Sequence, residues 1–276
     1  MATHGTAGRI QVVANQYIAA VAVPTFLLRK LAYMRRLQRN ALDAPAKEVA
    51  DYLGALRRDG IVVVPSFLDA ATLAAMRRAV PDEAAFVVSK EGDRALFYHD
   101  ADRIGAFAPF FDHPIIRGTA QAYISASAMS LRQEVGLKVV HGDVLCFEQF
   151  PHIDTWKMRL KAFLYLEDVG EDNAPIVYFK GSHSGLWRLP MEARIAGWYR
   201  TDPQGFAVPE DYYLGCFWPH EVQRLVDAHG YRETICTGAA GTLLMFDGRG
   251  LHRATPLHSG RRLILGSYWI HRGDHT

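Results

Sequence analysis

Residues 151–183 read PHIDTWKMRLKAFLYLEDVGEDNAPIVYFKGSH, and the order of apolar runs and turns in this stretch predicts the fold. Arg159–Leu166 and Ile176–Phe179 are strand-like runs, and Glu171–Pro175 between them is typical of a turn. Similar short runs recur at regular intervals from Leu137 onward. This pattern predicts an antiparallel barrel or jelly roll.

The length of the chain and its change in character along the sequence predict its domain organisation. A chain of 276 residues suits one large domain with a sizeable buried core. We predict a mostly helical N-terminal arm over residues 1–48 and a single mainly β domain over residues 49–276. The segment from about 185 to 230 is rich in Trp and Tyr and lacks clean alternation. It is therefore predicted to be an insertion of helices and loops that covers the barrel mouth as a lid.

Composition favours an ordinary globular enzyme, because 49% of the residues are hydrophobic and 22% are charged. The formal net charge of +2 gives no reason to expect a nucleic-acid partner, and we expect a small-molecule substrate. The cysteines form no CxxC pair, which predicts reduced core thiols and a cytoplasmic protein. They are Cys146, Cys216 and Cys236.

The N-terminal arm contains a short, almost entirely apolar stretch, Tyr17–Leu28, which is broken by Pro24 and is too short to span a bilayer. Two interpretations of residues 17–39 stay open. The segment is either an amphipathic helix that rests on a membrane surface or caps an apolar pocket, or a helix packed on the barrel or against the second subunit of a homodimer. We favour the packed helix.

His152-Ile153-Asp154 and the distant His252 form the most informative group of polar residues. Two imidazoles and one carboxylate are the ligand set that holds a mononuclear non-haem Fe(II) on one face and leaves the other face open for substrate and O2. His152 and Asp154 are two positions apart on a strand-like backbone, so their side chains point to the same side. His252 follows the apolar run Leu243–Phe246, as expected for a ligand supplied by a neighbouring strand.

Other histidines compete for these roles. A second His-x-Asp, His141-Gly142-Asp143, lies between two short apolar runs and is typical of a solvated hairpin tip. His258 and His271 are rival third ligands. Neither rival is followed by an arginine at a suitable spacing, whereas the cationic pair Arg261-Arg262 lies at a suitable spacing after His252.

Several further motifs occur in a characteristic order around these ligands. They are Leu56–Val64, Phe67–Leu73, the His-x-Asp at 152–154, Tyr165-Leu166-Glu167-Asp168, Asn173-Ala174-Pro175, Gly181-Ser182-His183, Gly241–Asp247 and Leu251–Pro256. Taken together, this succession resembles the phytanoyl-CoA dioxygenase family of Fe(II)/2-oxoglutarate oxygenases. The resemblance spans about residues 50 to 272, nearly the whole chain outside the arm.

The resemblance implies a double-stranded β-helix, a jelly roll of the cupin type. It also implies Fe(II) held by the three proposed ligands, with 2-oxoglutarate and O2 as co-substrates. 2-Oxoglutarate would chelate the iron, and its far carboxylate would meet Arg261 or Arg262 on the strand after the distal histidine. Strand alternation lets only one of the two point inward, and counting back from Tyr268 at the strand end favours Arg261.

One position departs from the family pattern. The family often has a small hydroxyl residue two positions after the distal histidine, whereas this chain has Ala254 there, followed by Thr255. Thr255 is therefore the candidate for this co-substrate contact.

The activity implied is oxidation, most commonly hydroxylation, of an unactivated C–H bond of a small, largely apolar metabolite, with release of succinate and CO2. Oxidative cyclisation, desaturation or rearrangement would use the same cofactor chemistry. Because a carboxylate ligand is present at Asp154, halogenation is not expected. A cupin-type metalloenzyme, or an inactive metal-binding scaffold that does not use 2-oxoglutarate, is the alternative of another class.

Aromatic residues near the motifs are candidates for substrate contact. Trp156 is the first choice, because alternation after Asp154 would aim it into the barrel. The full set is Trp156, Tyr98, Tyr178 and Trp218.

Overall fold

The structure is a computed structural model of the chain. It describes residues 4–40, 46–88, 95–139, 147–197 and 215–274, with side chains of the first helix described from residue 21 onward. Two predicted features, the hairpin at 141–143 and the thiol of Cys146, lie outside the described residues.

Seven helices and ten strands occur in the described part of the chain. The helices are α1 (His4–Gln38), α2 (Lys47–Asp59), α3 (Ala70–Arg78), α4 (Ala108–Phe111), α5 (Pro114–Tyr123), α6 (Leu189–Ile195) and α7 (Pro219–His229). The strands are β1 (Ile61–Val64), β2 (Val87–Val88), β3 (Ala95–His99), β4 (Ala128–Lys138), β5 (Arg159–Tyr165), β6 (Ile176–Lys180), β7 (Arg232–Cys236), β8 (Leu243–Asp247), β9 (His252–Ala254) and β10 (Arg262–His271).

The strands form two antiparallel sheets that face each other. The larger sheet has the order β1-β8-β5-β10-β4-β3-β2, and the smaller has the order β7-β6-β9. Alternate residues of β5, β8 and β6 fill the space between the sheets, as Phe163, Phe246 and Ile176 illustrate. The predicted double-stranded β-helix is confirmed.

The outer face of the larger sheet is also buried. Leu160 and Leu164 of β5 and Met245 of β8 point away from the barrel interior into a cluster that includes residues of α1, α2, α3 and α5. Strands buried on both faces read as continuous apolar runs rather than alternating ones. This explains the unbroken hydrophobic character of Leu243–Phe246.

Helix α1 packs on the domain along one face. Ala22, Phe26, Tyr33 and Leu37 are buried in the same cluster as the outer face of the larger sheet. The helix continues through Pro24, where burial of apolar side chains before and after the proline offsets the lost hydrogen bond.

The opposite side of α1 leaves Val21, Leu28 and Leu31 exposed. Contact of residues 17–39 with a membrane surface or a second subunit therefore stays a prediction. Within the described residues, no helix is long and apolar enough to cross a membrane.

The predicted insertion contains α6 and α7, which lie on either side of the undescribed residues 198–214. It returns to the barrel at Gly215–Phe217. Ile153 N–H donates to Gly215 O over 3.0 Å, and Phe217 N–H donates to Pro151 O over 2.8 Å. This part of the insertion thus lies beside the chain segment that carries His152.

We expect Phe26→Ala to lower the free energy of unfolding by about 3–5 kcal/mol, because it empties a fully buried site against Trp156. Leu28→Ala is the control on the same helix, since Leu28 is 69% exposed, and should change it by less than about 0.5 kcal/mol. Chemical denaturation of both variants measures the difference. Equal, small effects would contradict the packing of α1.

Candidate metal centre

His152 and His252 are neighbours because their backbones pair directly. His152 N–H donates to His252 O over 2.9 Å, and His252 N–H donates to His152 O over 3.0 Å. Their ring centroids lie 4.3 Å apart. Two residues a hundred positions apart in the sequence are thereby fixed as opposite members of one antiparallel bridge.

The two imidazoles are oriented by their second ring nitrogens. The Nδ1 of His152 lies 2.8 Å from Phe150 O, and the Nδ1 of His252 lies 2.9 Å from Gly250 O. A carbonyl oxygen can only accept, so each Nδ1 carries the proton and each Nε2 is left as a lone-pair donor. This is the tautomer that a metal ligand requires.

Asp154 completes the group. Its Oδ1 lies 3.8 Å from His152 Nε2 and 3.6 Å from His252 Nε2, and one ligand atom from each residue falls within 4.8 Å of the others. Two ligand bonds of about 2.0–2.2 Å to a shared ion can span each of the two separations from Asp154 Oδ1. The Nε2 of His252 is buried without a hydrogen-bond partner among the described residues, as expected of an atom reserved for a metal.

A glycine positions the Asp154 carboxylate. Asp154 N–H donates to Gly248 O over 2.8 Å. A Cβ on Gly248 would overlap Asp154 Oδ2. The carboxylate therefore lies directly against the Gly248 backbone, in a space that only glycine leaves open.

The charge states also suit a metal. Burial, with a further contribution from His252, lowers the pKa of His152 to about 3, so this imidazole is neutral. Burial alone would raise the pKa of Asp154, but the Lys161 ammonium and the two imidazoles outweigh it and hold the pKa well below its usual range. A neutral imidazole and an ionised carboxylate are the forms that bind metal.

A buried ion pair holds the turn between β8 and β9. Arg249 Nε lies 3.0 Å from each oxygen of Asp247, and Arg249 Nη2 lies 2.6 Å from Oδ2. Tyr123 donates to the same carboxylate over 2.7 Å, and Tyr178 donates to Asp247 O over 3.1 Å. These bonds fix the turn that carries Gly248 and leads into the ligand strand.

Beside the histidines lies a cavity of about 70 Å³ between the two sheets. Its walls are mostly apolar, with charged side chains at intervals. The lining residues are Phe97, Glu148, His152, Lys161, Phe163, Ile176, Phe246, His252, Arg253, Ala254, Arg262, Ile264 and Tyr268.

The structure corrects the preference for Arg261. Arg262 lines the cavity, is 9% exposed and donates to Ala174 O. Arg261 instead points outward, where its Nε lies 2.9 Å from a carboxylate oxygen of Glu167. Six positions separate Arg262 from the cavity-lining Tyr268, and an even separation places two residues on the same face of a strand.

Other predicted contacts lie outside this cavity. Thr255 donates to Pro175 O over 3.0 Å and is not among the lining residues. Trp156 does not enter the barrel but packs against Phe26 and Tyr33 of α1, at centroid distances of 5.3 and 5.2 Å. The expectation that alternation aims Trp156 inward is wrong, because residues 154–158 form no regular strand.

The remaining aromatic candidates do not line this cavity either. Tyr178 is fully buried behind His252, with ring centroids 6.3 Å apart. Tyr98 packs near Phe86, and Trp218 precedes α7 with its ring 5.9 Å from Phe150. Their role in substrate contact stays a prediction.

The rival ligands are placed elsewhere. His258 is exposed. His271 is hydrogen-bonded through Nδ1 to Ser125 and Ser127 over 2.9 and 2.8 Å. Neither joins the group formed by His152, Asp154 and His252.

Sequence reasoning missed Lys161, whose Nζ lies 3.0 Å from Asp154 Oδ1 and 2.9 Å from Oδ2. A signal was present, because Lys161 is a charged residue inside the otherwise apolar run Leu160–Leu166. Gly248 was missed because only the folded chain brings it against Asp154.

The sequence also matches a family model described as phytanoyl-CoA dioxygenase (PhyH), over residues 56–263. The chain belongs to the phytanoyl-CoA dioxygenase family. This is a family of non-haem iron and 2-oxoglutarate-dependent oxygenases. The group of His152, Asp154 and His252 is one that could hold a metal ion.

Solved structures share the fold. The epimerase SnoN in complex with Fe3+, alpha ketoglutarate and nogalamycin RO is 21% identical, with a TM-score of 0.52 over 80% of this chain and 83% of that chain. The carbocyclase SnoK from nogalamycin biosynthesis is 16% identical, with a TM-score of 0.53 over 83% and 87%. EctD from S. alaskensis with 2-oxoglutarate and 5-hydroxyectoine is 17% identical, with a TM-score of 0.56 over 83% and 77%.

At these identities the likeness concerns the fold alone. No curated protein sequence matches the chain.

We expect Gly248→Ala to weaken divalent-metal binding by at least about tenfold, because the added methyl displaces Asp154 from the other ligands. Gly54→Ala in α2 is the matched control, since its added methyl meets no atom within 4 Å. Calorimetric titration of both variants with Mn(II) measures the affinities. Equal affinity in Gly248→Ala and wild type would show that Asp154 is not held by this contact.

Proposed function

We propose that this chain is an Fe(II)/2-oxoglutarate-dependent oxygenase whose iron is held by His152, Asp154 and His252. 2-Oxoglutarate would occupy the adjoining cavity with its far carboxylate on Arg262. The observation that carries the proposal is that the two histidines of the proposed ligand group and the buried Arg262 guanidinium line the same small cavity between the sheets.

The lining of the cavity is complementary to a short dicarboxylate. Phe163, Ile176, Phe246 and Ile264 offer apolar walls for a methylene chain. Arg262 is the buried cation against which a terminal carboxylate would be paired, in the planar two-point geometry that guanidinium groups favour. Each such charge-assisted hydrogen bond contributes about 1.5–3 kcal/mol.

Iron with 2-oxoglutarate and O2 supplies the oxidising power, and succinate and CO2 are the co-products. The protein's own part is to bind and orient. The paired backbones of residues 152 and 252 hold the two imidazoles on one side, with Asp154 beside them. Three ligands on one face leave positions for co-substrate and O2.

The reaction proposed is oxidation of an unactivated C–H bond in a small, largely apolar metabolite, with hydroxylation as the first expectation. Cyclisation, desaturation or rearrangement would use the same residues, since these outcomes differ in how the substrate is held after hydrogen abstraction. The shared fold includes an enzyme named as an epimerase and one named as a carbocyclase. Fold likeness therefore does not select among the outcomes.

We expect anaerobic addition of 2-oxoglutarate to the Fe(II)-loaded protein to produce the weak visible charge-transfer band of the chelate. Arg262→Met should weaken 2-oxoglutarate binding by at least about tenfold, since it removes a charge-assisted bond. Arg261→Met is the matched control, because Arg261 is exposed and pairs with Glu167, and should bind as wild type does. His152→Ala should lose the band altogether.

Absence of the band in wild type, with iron still bound, would reject 2-oxoglutarate as co-substrate. It would leave a metalloenzyme that uses another co-substrate, or an inactive metal-binding scaffold. A larger loss in Arg261→Met than in Arg262→Met would reverse the assignment of the arginine.

A further inference from the structure

Lys161 places a cation directly against Asp154, a proposed ligand of the metal. Its side chain leaves β5 toward the barrel interior and lines the cavity together with His152 and His252. The Nζ lies within 3.0 Å of both Asp154 oxygens, and the side chain is 13% exposed.

The Lys161 ammonium and a bound metal would both contact the same oxygen of Asp154. Asp154 Oδ1, which lies 3.0 Å from Lys161 Nζ, is also the oxygen 3.6–3.8 Å from the Nε2 atoms of the two histidines. Two positive charges cannot share one buried carboxylate oxygen without mutual repulsion. A bound divalent ion therefore competes with Lys161 for Asp154.

The ammonium has a place to remain once it gives up that oxygen. It lies over the rings of Phe246 and Tyr268, at 5.6 and 5.7 Å from their centroids. Ring faces of this kind attract a cation. The displaced ammonium thus stays inside the cavity at the end where Asp154 lies.

Three cationic side chains line the cavity. Arg253 is paired with Glu233, whereas Lys161 and Arg262 occupy two widely spaced positions. Lys161 is paired in register with Tyr268 on β10, whereas Arg262 begins that strand. At about 3.3 Å per residue, the two backbone positions are on the order of 20 Å apart, and both side chains line the same cavity. One cation at each end matches a molecule with a carboxylate at each end.

We infer that Lys161 is an exchangeable counter-ion of the metal site: it occupies Asp154 in the metal-free protein, gives Oδ1 to the divalent ion, and then pairs with the co-substrate carboxylate nearer the metal. The second half of this inference rests on the proposed 2-oxoglutarate function. The first half concerns the metal alone.

The inference has a signature that a merely structural lysine would not give. Removal of the ammonium takes away a competitor for Asp154, so the metal should bind more tightly. It also takes away a partner of the co-substrate, so 2-oxoglutarate should bind less tightly. A lysine that only supports the fold would leave both affinities unchanged or lower both.

The test uses Lys161→Met and Lys161→Gln in the full chain, with Lys47→Met as the matched control. Lys47 is exposed at the start of α2, so its loss makes the same change in net charge away from the cavity. Thermal unfolding first establishes that each variant is folded. Calorimetry then gives the Mn(II) affinity without co-substrate, and the 2-oxoglutarate affinity at saturating Mn(II).

We expect both Lys161 variants to bind Mn(II) about tenfold more tightly and 2-oxoglutarate about tenfold less tightly, the size of one charge-assisted contact. Lys47→Met should match wild type in both titrations. Unchanged or weaker Mn(II) binding in the folded Lys161 variants would overturn the inference. Tighter Mn(II) binding with unchanged 2-oxoglutarate binding would overturn its second half.

Failure of the proposed function gives a different result. If wild-type protein loaded with Mn(II) does not bind 2-oxoglutarate, the co-substrate proposal falls. The Mn(II) titrations of wild type and the Lys161 variants still decide whether the lysine competes for Asp154.

Discussion

The pair of backbone hydrogen bonds between His152 and His252 is the constraint on which the site depends. It joins the two chain segments that carry His152 and His252 and fixes the separation of the imidazoles. A backbone hydrogen bond to Gly248 positions Asp154 beside them. The buried Asp247–Arg249 ion pair stabilises the turn that contains Gly248. Backbone pairing and the adjoining turn therefore position the three side chains close together.

The barrel and the grouping of His152 with Asp154 could be predicted from the sequence because both rest on local patterns. Short apolar runs separated by turns specify antiparallel strands, and a His-x-Asp with period-two spacing presents both side chains on one side. The choice between Arg261 and Arg262 could also be made from the local sequence. The count back from Tyr268 pointed to Arg261, but the even separation of six positions between Arg262 and Tyr268 places Arg262 on the same strand face.

The rest depends on contacts between distant segments. Nothing in the sequence near Trp156 indicates that α1 covers it, since Phe26 and Tyr33 lie far upstream. The contact of Gly248 with Asp154 likewise exists only after β8 and the ligand segment have packed. Lys161 was visible as a charge in an apolar run, but its partner could be identified only in three dimensions.

The return of the insertion at Gly215–Phe217 has a consequence for communication within the protein. This segment is bonded to Pro151–Ile153 on the side of His152 away from His252, and the Gly215 backbone approaches Ile153 O so closely that no side chain would fit. His152 is thus the middle strand of a three-part ribbon whose outer member, Gly215–Phe217, belongs to the insertion. Because backbone hydrogen bonds join the two segments, a displacement of Gly215–Phe217 would also displace His152, and the electronic spectrum of a metal bound there would report it.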